Sequence, residues 1–369
     1  MGNPIRVLHA VVNMNRGGAE TLIMNLYRNM DRGKIQFDFL TNKPGVFDEE
    51  IKKMGGVIHR IPYVTDVGHK KYIRHLNQFF YENKQYKIVH SHMDKMSGFV
   101  LQAAKKAGIP TRIAHSHNTQ SEGGFAARVY KSYAGYQINR SSTHFLACSH
   151  AAGKWLFKKQ HTSIDVVKNG IDLSKFAFSE SKRANIRREL NLDPDNITIG
   201  HIGRFNHQKN HTLLIDIFHN FLKENPKSTL VLVGDGPLKS IIINKTKRLK
   251  IEDRVIFLGV RSDVEHLLQA FDVFVFPSLH EGLPVTLIEA QASGLPCVIS
   301  DSITKEVDMG LNLIKFVSNT KMDNWFEELF KLNVNQMKRT ITAGKLTDEG
   351  YNIHQTSEWT KEYYLGLSR

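Results

Sequence analysis

The chain has 369 residues, of which 41% are hydrophobic and 23% charged, values that are ordinary for a globular protein. One hydrophobic core rarely extends over so long a chain, so we expect two domains. The formal net charge of +14 favours anionic partners such as nucleotides, diphosphates or lipid headgroups. The sequence shows no zinc-finger, RNP-like or basic heptad motif, so nucleic acid is not an expected partner.

The termini and cysteines indicate a cytoplasmic protein. Cys148 and Cys297 lie far apart in no metal-binding or redox spacing, which suits a reducing compartment. The N-terminus has no signal-peptide pattern, and Arg6 stands where a myristoylation signal needs Ser or Thr. No run of about 18 apolar residues occurs, so no membrane span is expected.

Short apolar runs alternate with segments of helical periodicity such as AETLIMNLYRNM (19–30). In the first half the predicted strands are IRVLHAVV (5–12), FDFLT (37–41), VIHRI (57–61), IVHSH (88–92), RIAHSH (112–117) and HFLACS (144–149). In the second half they are ITIGHIG (197–203), TLVLVG (229–234), VIFLG (255–259), FDVFVFP (271–277), PCVIS (296–300) and IKFV (314–317). This alternation predicts parallel sheets with right-handed crossovers.

The alternation begins a second time after the charged run SESKRANIRREL (179–190) and the segment NLDPDN (191–196). We therefore expect an α/β protein with two doubly wound, Rossmann-like domains, residues 1–185 and 186–350. Ligands of such sheets bind at the carboxyl ends of the strands, so we expect the domains to face a cleft.

The last segment, TSEWTKEYYLGL (356–367), predicts a helix because Trp359, Tyr363 and Leu367 recur at helical spacing. Residues 351–369 follow the second domain in sequence, but packing against the first domain is an open alternative. That arrangement would make the domains discontinuous.

The segment KKYIRHLNQFFYENKQYK (70–87) interleaves basic and aromatic residues. Tyr72, Leu76, Phe79 and Phe80 lie near one helical face. The favoured interpretation is a helix that covers the first sheet, and the alternative is a helix that lies on an anionic membrane.

Two carboxylates, Glu281 and Glu289, lie in the segment HEGLPVTLIEAQASGLP (280–296), which follows an apolar run. Carboxylates are costly to bury unless something pairs with them. A carboxylate can accept two hydrogen bonds side by side, so Glu289 matches the vicinal diol of a ribose. The alternative is a surface loop followed by an amphipathic helix.

Pro284 in the same segment suits the first position of a helix. The amides of Val285, Thr286 and Leu287 would then lack partners at the positive end of the helix dipole. Such a helix end forms an anion site suited to a diphosphate.

Basic residues follow the first predicted strand of the second domain, in IGRFNHQKN (202–210). Arg204 can hold phosphate in a bidentate fork, and Lys209 can act as a point charge. Two solvated basic residues in a basic protein are the alternative.

Glycines occupy two further strand-to-helix turns. In NRGGAE (15–20), Gly17 and Gly18 would let backbone amides approach an anion, although the pattern lacks the full dinucleotide-binding fingerprint. GDGP (234–237) is interpreted as an architectural turn.

The order RGGAET (16–21), NGID (169–172), GRFNHQKN (203–210), VGDGP (233–237), FLG (257–259) and HEGLPVTLIEAQASGLP (280–296) resembles the retaining glycosyltransferases of the GT-B fold. Within them the chain is similar to family 4, also called glycosyl transferases group 1, and to its bacterial capsule and exopolysaccharide subset. The resemblance covers nearly the whole chain. Its most specific part is Glu281 and Glu289 with seven residues between them.

The resemblance implies that the second domain binds a nucleotide sugar as donor substrate, with no separate cofactor. Arg204 and Lys209 would neutralise the diphosphate, Glu281 would lie beside the donor sugar, and Glu289 would bind the ribose. The remaining contacts implied for the donor are Gly17, Gly18, Val260, Arg261, Gly282, Leu283, Pro284 and Val285, with the backbone near Val260 and Arg261 at the base edge. Many relatives have GFG where this chain has GLPV after the first glutamate. UDP is the expected nucleotide because it is the commonest in such families.

A histidine after a strand of the first domain usually faces the transferred sugar in this family. AHSHNT (114–119) offers His115 and His117, which would point to the same side of the strand. His117 is preferred because it is nearer the carboxyl end of the strand. His90 and His92 are interpreted as architectural.

The resemblance also implies transfer with retention, by attack on the face from which the nucleoside diphosphate leaves. No metal is expected, because DPD (193–195) fits a turn better than a metal site. The expected acceptor is a glycan or a lipid-linked glycan. If it is lipid-linked, the net positive charge would help the chain dock on the inner face of an anionic membrane. Two alternatives stay open: a GT-B epimerase or phosphorylase, and a non-catalytic scaffold of a polysaccharide assembly.

Overall fold

The structure, a computed structural model, describes residues 3–121, 123–158, 163–332, 339 and 342–368. The chain forms two compact units. Met1–Ile171 and Gly350–Arg369 form the first unit, and Asp172–Glu349 forms the second. Within the described residues, no helix combines the length and the apolar character that crossing a membrane requires.

The sheet of the first unit is entirely parallel and has the strand order β3-β2-β1-β4-β5-β6-β7 among the described residues. Its strands are β1 Ile5–Ala10, β2 Ile35–Thr41, β3 Ile58–Arg60, β4 Ile88–Ser91, β5 Thr111–Ser116, β6 His144–Ala147 and β7 Asp165–Val166. All seven residues of β2 are buried, as expected for a parallel strand covered on both faces.

The sheet of the second unit is also parallel, with the order β10-β9-β8-β11-β12-β13 among the described residues. Its strands are β8 Ile197–Ile202, β9 Ser228–Val233, β10 Val255–Gly259, β11 Val273–Phe276, β12 Cys297–Ser300 and β13 Ile314–Val317. Every predicted strand corresponds to one of these thirteen described strands. Strand β7 was not predicted, because two residues are too few to show a pattern.

Helices cover both sheets. In the first unit they are α1 Gly18–Asn29, α2 Asp48–Lys53, α3 Val64–Val67, α4 His69–Glu82, α5 Ser97–Lys106, α6 Phe125–Gly135, α7 Ile138–Ser141, α8 His150–Phe157 and, at the end of the chain, α17 Ile353–Leu367. In the second they are α9 Leu173–Phe176, α10 Glu180–Glu189, α11 His211–Glu224, α12 Lys239–Arg248, α13 Val264–Ala270, α14 Val285–Ala292, α15 Met322–Lys331 and α16 Ala343–Asp348. Short 3₁₀ turns occur at Asp94–Met96, Glu252–Arg254 and Lys305–Val307.

The division between the units lies at 171/172, so the expected boundary at 185/186 is too late in the chain. The charged run beside the expected boundary forms α10, which packs on α13. Arg183 and Arg187 of α10 bind Asp272 at 2.5 and 3.3 Å, and Arg187 is buried. Two arginines of this segment therefore serve internal ion pairs, whereas Glu180, Arg188 and Glu189 are exposed.

The end of the chain returns to the first unit. Residues Gly350–Arg369 belong to it, and α17 packs on α1. The described part of the chain connects the units in two segments, which lie side by side through a parallel bridge between Ile171 and Asn352. The first unit is therefore discontinuous in sequence.

Helix α4 has its aromatic face in the core of the first unit. Tyr72, Leu76, Phe79 and Phe80 are all buried. The favoured interpretation of residues 70–87 as a helix that covers the sheet is therefore confirmed for these four side chains. The membrane alternative for that face is wrong, because the face has no access to a lipid surface.

In each sheet the strand order reverses at one point, where successive strands change from one side of the first strand to the other. In the first unit β2 and β3 lie on one side of β1, while β4 to β7 lie on the other. In the second unit β9 and β10 lie on one side of β8, while β11 to β13 lie on the other. The loops on either side of such a switch point diverge, and the crevice between them is where α/β sheets bind ligands.

Candidate functional site

The switch point of the second unit is flanked by an ion pair. Lys209 lies in the loop after β8, and Glu281 lies in the loop after β11. The Lys209 Nζ is 2.6 Å from a carboxylate oxygen of Glu281, and Glu281 is only 7% exposed. Since a carboxylate is costly to bury without a partner, this pair accounts for the burial of Glu281.

Neighbouring groups hold Lys209 in place. Its amide donates to Oδ1 of Asn206, and its ammonium lies 4.5 Å from the centre of the Phe276 ring. The side-chain amide of Gln208 donates to the carbonyl of His280, which ties the loop after β8 to the loop after β11. The two loops therefore form one connected wall of the crevice.

Glu289 lies inside α14 and is 8% exposed. Burial, with a smaller contribution from the nearby charge of Glu265, raises the pKa of Glu289 to about 8. The free protein therefore holds this side chain mainly as a neutral acid at pH 7, with one donor and one acceptor. The sequence analysis treated Glu289 as an ionised carboxylate. The structure indicates the neutral acid instead, because burial favours the uncharged form.

The residues between the two glutamates are buried as well. Gly282, Leu283, Pro284 and Val285 all lie below the surface, and Pro284 is the N-cap residue of α14. The amide of Leu287 donates to the carbonyl of Pro284 at 3.1 Å. The prediction that this amide lacks a partner is therefore wrong, because the first turn of the helix is tight.

Arg204 is exposed in the loop after β8. Backbone packing fixes the start of that loop, because Gly234 has a φ of 135° and a side chain there would collide with the carbonyl of Gly203. The turn GDGP is thus architectural, and it positions the residue that precedes Arg204.

Val260 and Arg261 lie beyond β10, two strands away from β8. Val260 is exposed. Arg261 donates hydrogen bonds to Asp263 and Glu189, and these bonds raise its pKa. The side chain of Arg261 is therefore engaged within the second unit. The predicted contact to the base involves the backbone at Val260 and Arg261 and stays a prediction.

Gly17 and Gly18 lie at the N-terminus of α1, directly after the loop that follows β1. Gly18 is exposed, and no atom lies near the position of a side chain there. A side chain at Gly17 would meet only the flexible carboxylate of Glu20. The backbone at this helix end is therefore accessible, in the geometry that favours anions.

Five histidines meet beside the switch point of the first unit. His9 of β1 is hydrogen-bonded to His92 at 3.0 Å, and His92 is hydrogen-bonded through its other ring nitrogen to His117 at 2.8 Å. In a second chain, the Tyr364 hydroxyl lies 2.6 Å from His90, and His90 lies 3.1 Å from His115.

All five rings are expected to be neutral. Burial lowers the pKa of His9 and of His117 to about 3. The pKa values of His90, His92 and His115 are lowered well below the usual range, first by burial and then by neighbouring imidazoles. His115 is buried whereas His117 is partly exposed, so His117 has the better access to a ligand.

The same rings are the described residues that could hold a metal ion. Nitrogens of His9, His90 and His92 lie within 4.8 Å of one another, as do those of His92, His115 and His117. In each triplet one pair of rings shares a hydrogen bond, His9 with His92 and His92 with His117. DPD at 193–195 forms a turn in which Oδ1 of Asp193 accepts from the amide of Asp195.

Sequence reasoning missed several residues of these two crevices. His9, Tyr364 and Phe276 complete the contacts of predicted residues, and His92 touches His117 directly. A signal was available for His9, because β1 and β4 are adjacent and His9 is the register partner of His90. Nothing in the sequence pairs Tyr364 with His90, which lie 274 positions apart.

Comparisons with known proteins find relatives over nearly the whole chain. The family "Glycosyltransferase Family 4" matches residues 16–175, and "Glycosyl transferases group 1" matches residues 182–310. EpsF of Bacillus subtilis (strain 168), which carries a provisional glycosyltransferase name, is 39% identical over 95% of this chain and 94% of its own. The capsular polysaccharide biosynthesis glycosyltransferase CapH of Staphylococcus aureus is 27% identical over 98% and 99% of the two chains.

Among solved structures, Anabaena Alr3699/HepE in complex with UDP and glucose has a TM-score of 0.80 to this chain at 20% identity. The match covers 98% of this chain and 99% of HepE. With two parallel α/β sheets, the fold is GT-B. The chain belongs to the family-4 glycosyltransferases, also known as glycosyl transferases group 1.

Proposed function

We propose that the chain transfers a sugar from a nucleotide-sugar donor, with UDP as the expected nucleotide, to a glycan or lipid-linked acceptor in polysaccharide biosynthesis. The observation that carries this proposal is the Lys209–Glu281 pair at the switch point of the second unit. It offers a cation for a diphosphate and a buried acid for a sugar in one crevice. The name of CapH and the UDP and glucose complex of HepE support the proposal.

In this proposal the diphosphate lies against Lys209, Arg204 and the backbone at the start of α14. Glu281 accepts hydrogen bonds from the donor sugar, and Glu289 binds the ribose hydroxyls. Backbone groups from Gly282 to Val285 complete this wall, and the backbone at Val260–Arg261 meets the base. Gly17 and Gly18 are further candidates for contact with the diphosphate. His117 is the candidate for contact with the transferred sugar.

The reaction breaks the bond between the anomeric carbon and the diphosphate oxygen. A new bond forms between that carbon and an acceptor hydroxyl on the same face, and the hydroxyl proton goes to the departing phosphate. Lys209 and Arg204 stabilise the negative charge that develops on the leaving group, which is the main source of rate enhancement in such sites. Proton NMR of the first product tests retention, and an inverted anomer would contradict it.

We further propose that the transfer needs no metal ion, because Lys209 and Arg204 supply the positive charge that a metal would bring to the diphosphate. Unchanged initial rates in excess EDTA would support this step. Loss of activity in EDTA that added Mg²⁺ or Mn²⁺ restores would contradict it.

Donor identity is tested by thermal shift with UDP-, GDP- and ADP-sugars. A ligand that binds only the folded chain stabilises it by about 2.7 kcal/mol at a hundred times its Kd, and we expect this only for UDP-sugars. Lys209→Ala should abolish the shift. Lys239→Ala is the matched control, since Lys239 pairs with an exposed Asp235 on the same unit. Equal shifts in both variants would contradict the site.

A further inference from the structure

Three of the imidazoles in the first unit are hydrogen-bonded in a single row, here called the histidine row and defined as His9, His92 and His117. Nδ1 of His9 lies 3.0 Å from Nε2 of His92, and Nδ1 of His92 lies 2.8 Å from Nε2 of His117. The two ends of the row differ. Among the described residues, Nε2 of His9 is buried without a hydrogen-bond partner, whereas His117 at the other end is partly exposed.

The protons of the histidine row have only two possible arrangements. Each neutral imidazole carries one N–H and one lone pair, so His92 donates through one ring nitrogen and accepts through the other. In the first arrangement His9 donates to His92 and His92 donates to His117, which leaves the proton of His117 on Nδ1. In the second arrangement both bonds run in the opposite direction, and the proton of His9 is left on its buried Nε2.

A histidine of the second unit provides a comparison for His9. His201 is the fifth residue of β8, as His9 is the fifth residue of β1. Burial lowers the pKa of His201 to about 3, so its ring is neutral. Its Nδ1 lies 2.8 Å from the carbonyl oxygen of Val275, and a carbonyl oxygen only accepts, so the proton is on Nδ1. Nε2 of His201 is then a bare lone pair, which is buried without a partner in the part of the chain that the structure describes.

The comparison favours the first arrangement for the histidine row. It gives His9 the same state as His201, with a proton on Nδ1 and a bare, buried Nε2. The second arrangement would bury an unpaired N–H, which is rarer in proteins than an unpaired acceptor and costs the full desolvation of that donor. In the first arrangement the last proton of the row lies on Nδ1 of His117, at the partly exposed end, where it can bond to solvent or to a ligand.

We propose that His9 and His92 are positioning residues that hold His117 in the Nδ1–H tautomer, so that His117 donates a hydrogen bond to an oxygen atom of the transferred sugar. The inference rests on the proposed function, since it takes the sugar as the ligand of His117. The hydrogen bond at one ring nitrogen decides whether the other carries the proton. A free histidine ring prefers the Nε2–H tautomer, so the row reverses this preference and favours a sugar with an oxygen, and not a deoxy carbon, at the contact.

Nitrogen-15 NMR of the full chain, labelled on histidine and without nucleotide, tests the tautomers. EDTA in the buffer keeps metal ions off the rings. Protonated and bare ring nitrogens differ widely in chemical shift, and the signals that each single-histidine variant loses assign the rings. We expect the proton on Nδ1 in His9, His92 and His117, and a proton on Nε2 of His117 would overturn the proposal. His201 calibrates the measurement, because its carbonyl partner fixes its proton on Nδ1.

Two variants of His9 test whether the row controls His117. His9→Leu removes the first donor, so His92 and then His117 are free to change tautomer. We expect the Nε2–H form of His117 to appear and kcat to fall about fivefold, the contribution of one hydrogen bond. His9→Asn returns an amide N–H near the position of Nδ1 and should restore the tautomer and most of kcat. A changed tautomer with an unchanged kcat in His9→Leu would overturn the donation to the sugar.

His90→Leu is the matched control. His90 is buried, as His9 is, but its hydrogen bonds join Tyr364 and His115. The variant should lose stability in thermal unfolding as His9→Leu does, while His117 keeps its proton on Nδ1. An equal change of tautomer in this control would overturn the proposal, because packing and not the row would then set the position of the proton.

Sugar transfer by the unchanged chain separates this inference from the proposed function. A chain that transfers sugar while His117 carries its proton on Nε2 keeps the proposed function and loses this inference. A chain that has the expected tautomer but transfers no sugar contradicts the proposed function, and with it the donation from His117 to a sugar. Because the NMR measurement uses the unchanged chain, it decides the tautomer even where a variant fails to fold.

Discussion

The two units place different chemistry at the same point of the same topology. Beside the switch point of the second unit lie an ammonium, its paired carboxylate and a buried acid with a raised pKa. Beside that of the first unit lie five hydrogen-bonded imidazoles with lowered pKa values. Topology thus decides where functional groups gather, whereas the residues at the strand ends decide whether the crevice is charged or neutral.

This difference fits a division of labour in the proposed reaction. A diphosphate leaving group needs fixed charge, which Lys209 and Arg204 supply in the second unit. A sugar is neutral and needs hydrogen-bond donors and acceptors, which a neutral imidazole such as His117 supplies. The predictions below test that contrast, beginning with the charged crevice, where the largest effect is expected.

Lys209→Ala should have the largest effect. Removing a charge that stabilises a developing anion costs about a hundred- to a thousandfold in kcat. It also leaves Glu281 buried without its cation, which should lower the free energy of unfolding by about 3 kcal/mol. Steady-state transfer assays and urea unfolding measure the two effects.

Lys209→Met with Glu281→Gln separates activity from stability. The double variant should regain most of the lost stability, because no buried charge remains unpaired, while staying inactive. A double variant with substantial activity would show that the ion pair only supports the fold.

Glu289 should make the stability of the second unit fall as pH rises. Burial raises its folded pKa from 4.5 to about 8, so the folded state keeps a proton that the unfolded state releases between these values. The contribution of Glu289 to stability is therefore full below pH 4.5 and is lost towards pH 8, by on the order of 4 kcal/mol. Urea unfolding of the unchanged chain and of Glu289→Gln at pH 5 and pH 8 checks this. The free energy of unfolding should fall between these pH values in the unchanged chain and not in the variant.

The first unit should respond to pH in the opposite direction. The pKa of His9 and of His117 is lowered from 6.5 to about 3, so the unfolded state binds protons that the folded state does not. Stability is full above pH 6.5 and is lost as pH falls towards 3. The second unit buries His201 and His211, whose pKa values are also lowered by burial.

Hydrogen exchange resolves the two units. We expect peptides of β1, β4 and β5 to lose protection at a higher pH during acidification than peptides of β8 and β11, because five imidazoles gain protons in the first unit. Earlier loss in the second unit would contradict the contrast between the crevices.

His117→Ala should have the smallest effect. Loss of one hydrogen bond to the sugar costs about tenfold in kcat, and loss of the hydrogen bond to His92 lowers the free energy of unfolding by about 1 kcal/mol. His115→Ala should lower stability more, because that ring is buried, and should affect kcat less. The reverse pattern in rate assays and thermal unfolding would make His115 the sugar contact.

The fold was predicted well because the strands of a buried parallel sheet are easy to recognise in a sequence. A strand buried on both faces must be apolar along its length, so each candidate run corresponded to a strand. The boundary between the units was placed too late, because the alternation of strands and helices restarts only after the charged run that forms α10. That helix belongs to the second unit, where Arg187 pairs with Asp272 below the surface.

The candidate site was predicted in part for a related reason. Lys209 and Glu281 follow strands that turned out to be adjacent, so their ion pair was within reach of a topological argument. The raised pKa of Glu289 could not be predicted from the sequence, because it depends on how deeply α14 is buried and on Glu265 of another helix. Likewise, helical spacing on α17 suggested Trp359, whereas the buried face of that helix carries Tyr364.

The discontinuity of the first unit has a consequence for synthesis. Residues 172–349 leave the ribosome before α17 does, so the second unit can complete its fold while the first still lacks the helix that packs on α1. N-terminal domains usually fold first during translation. In this protein we expect the reverse order of completion, because the histidine ring network gains its tyrosine partner only when the last helix has emerged.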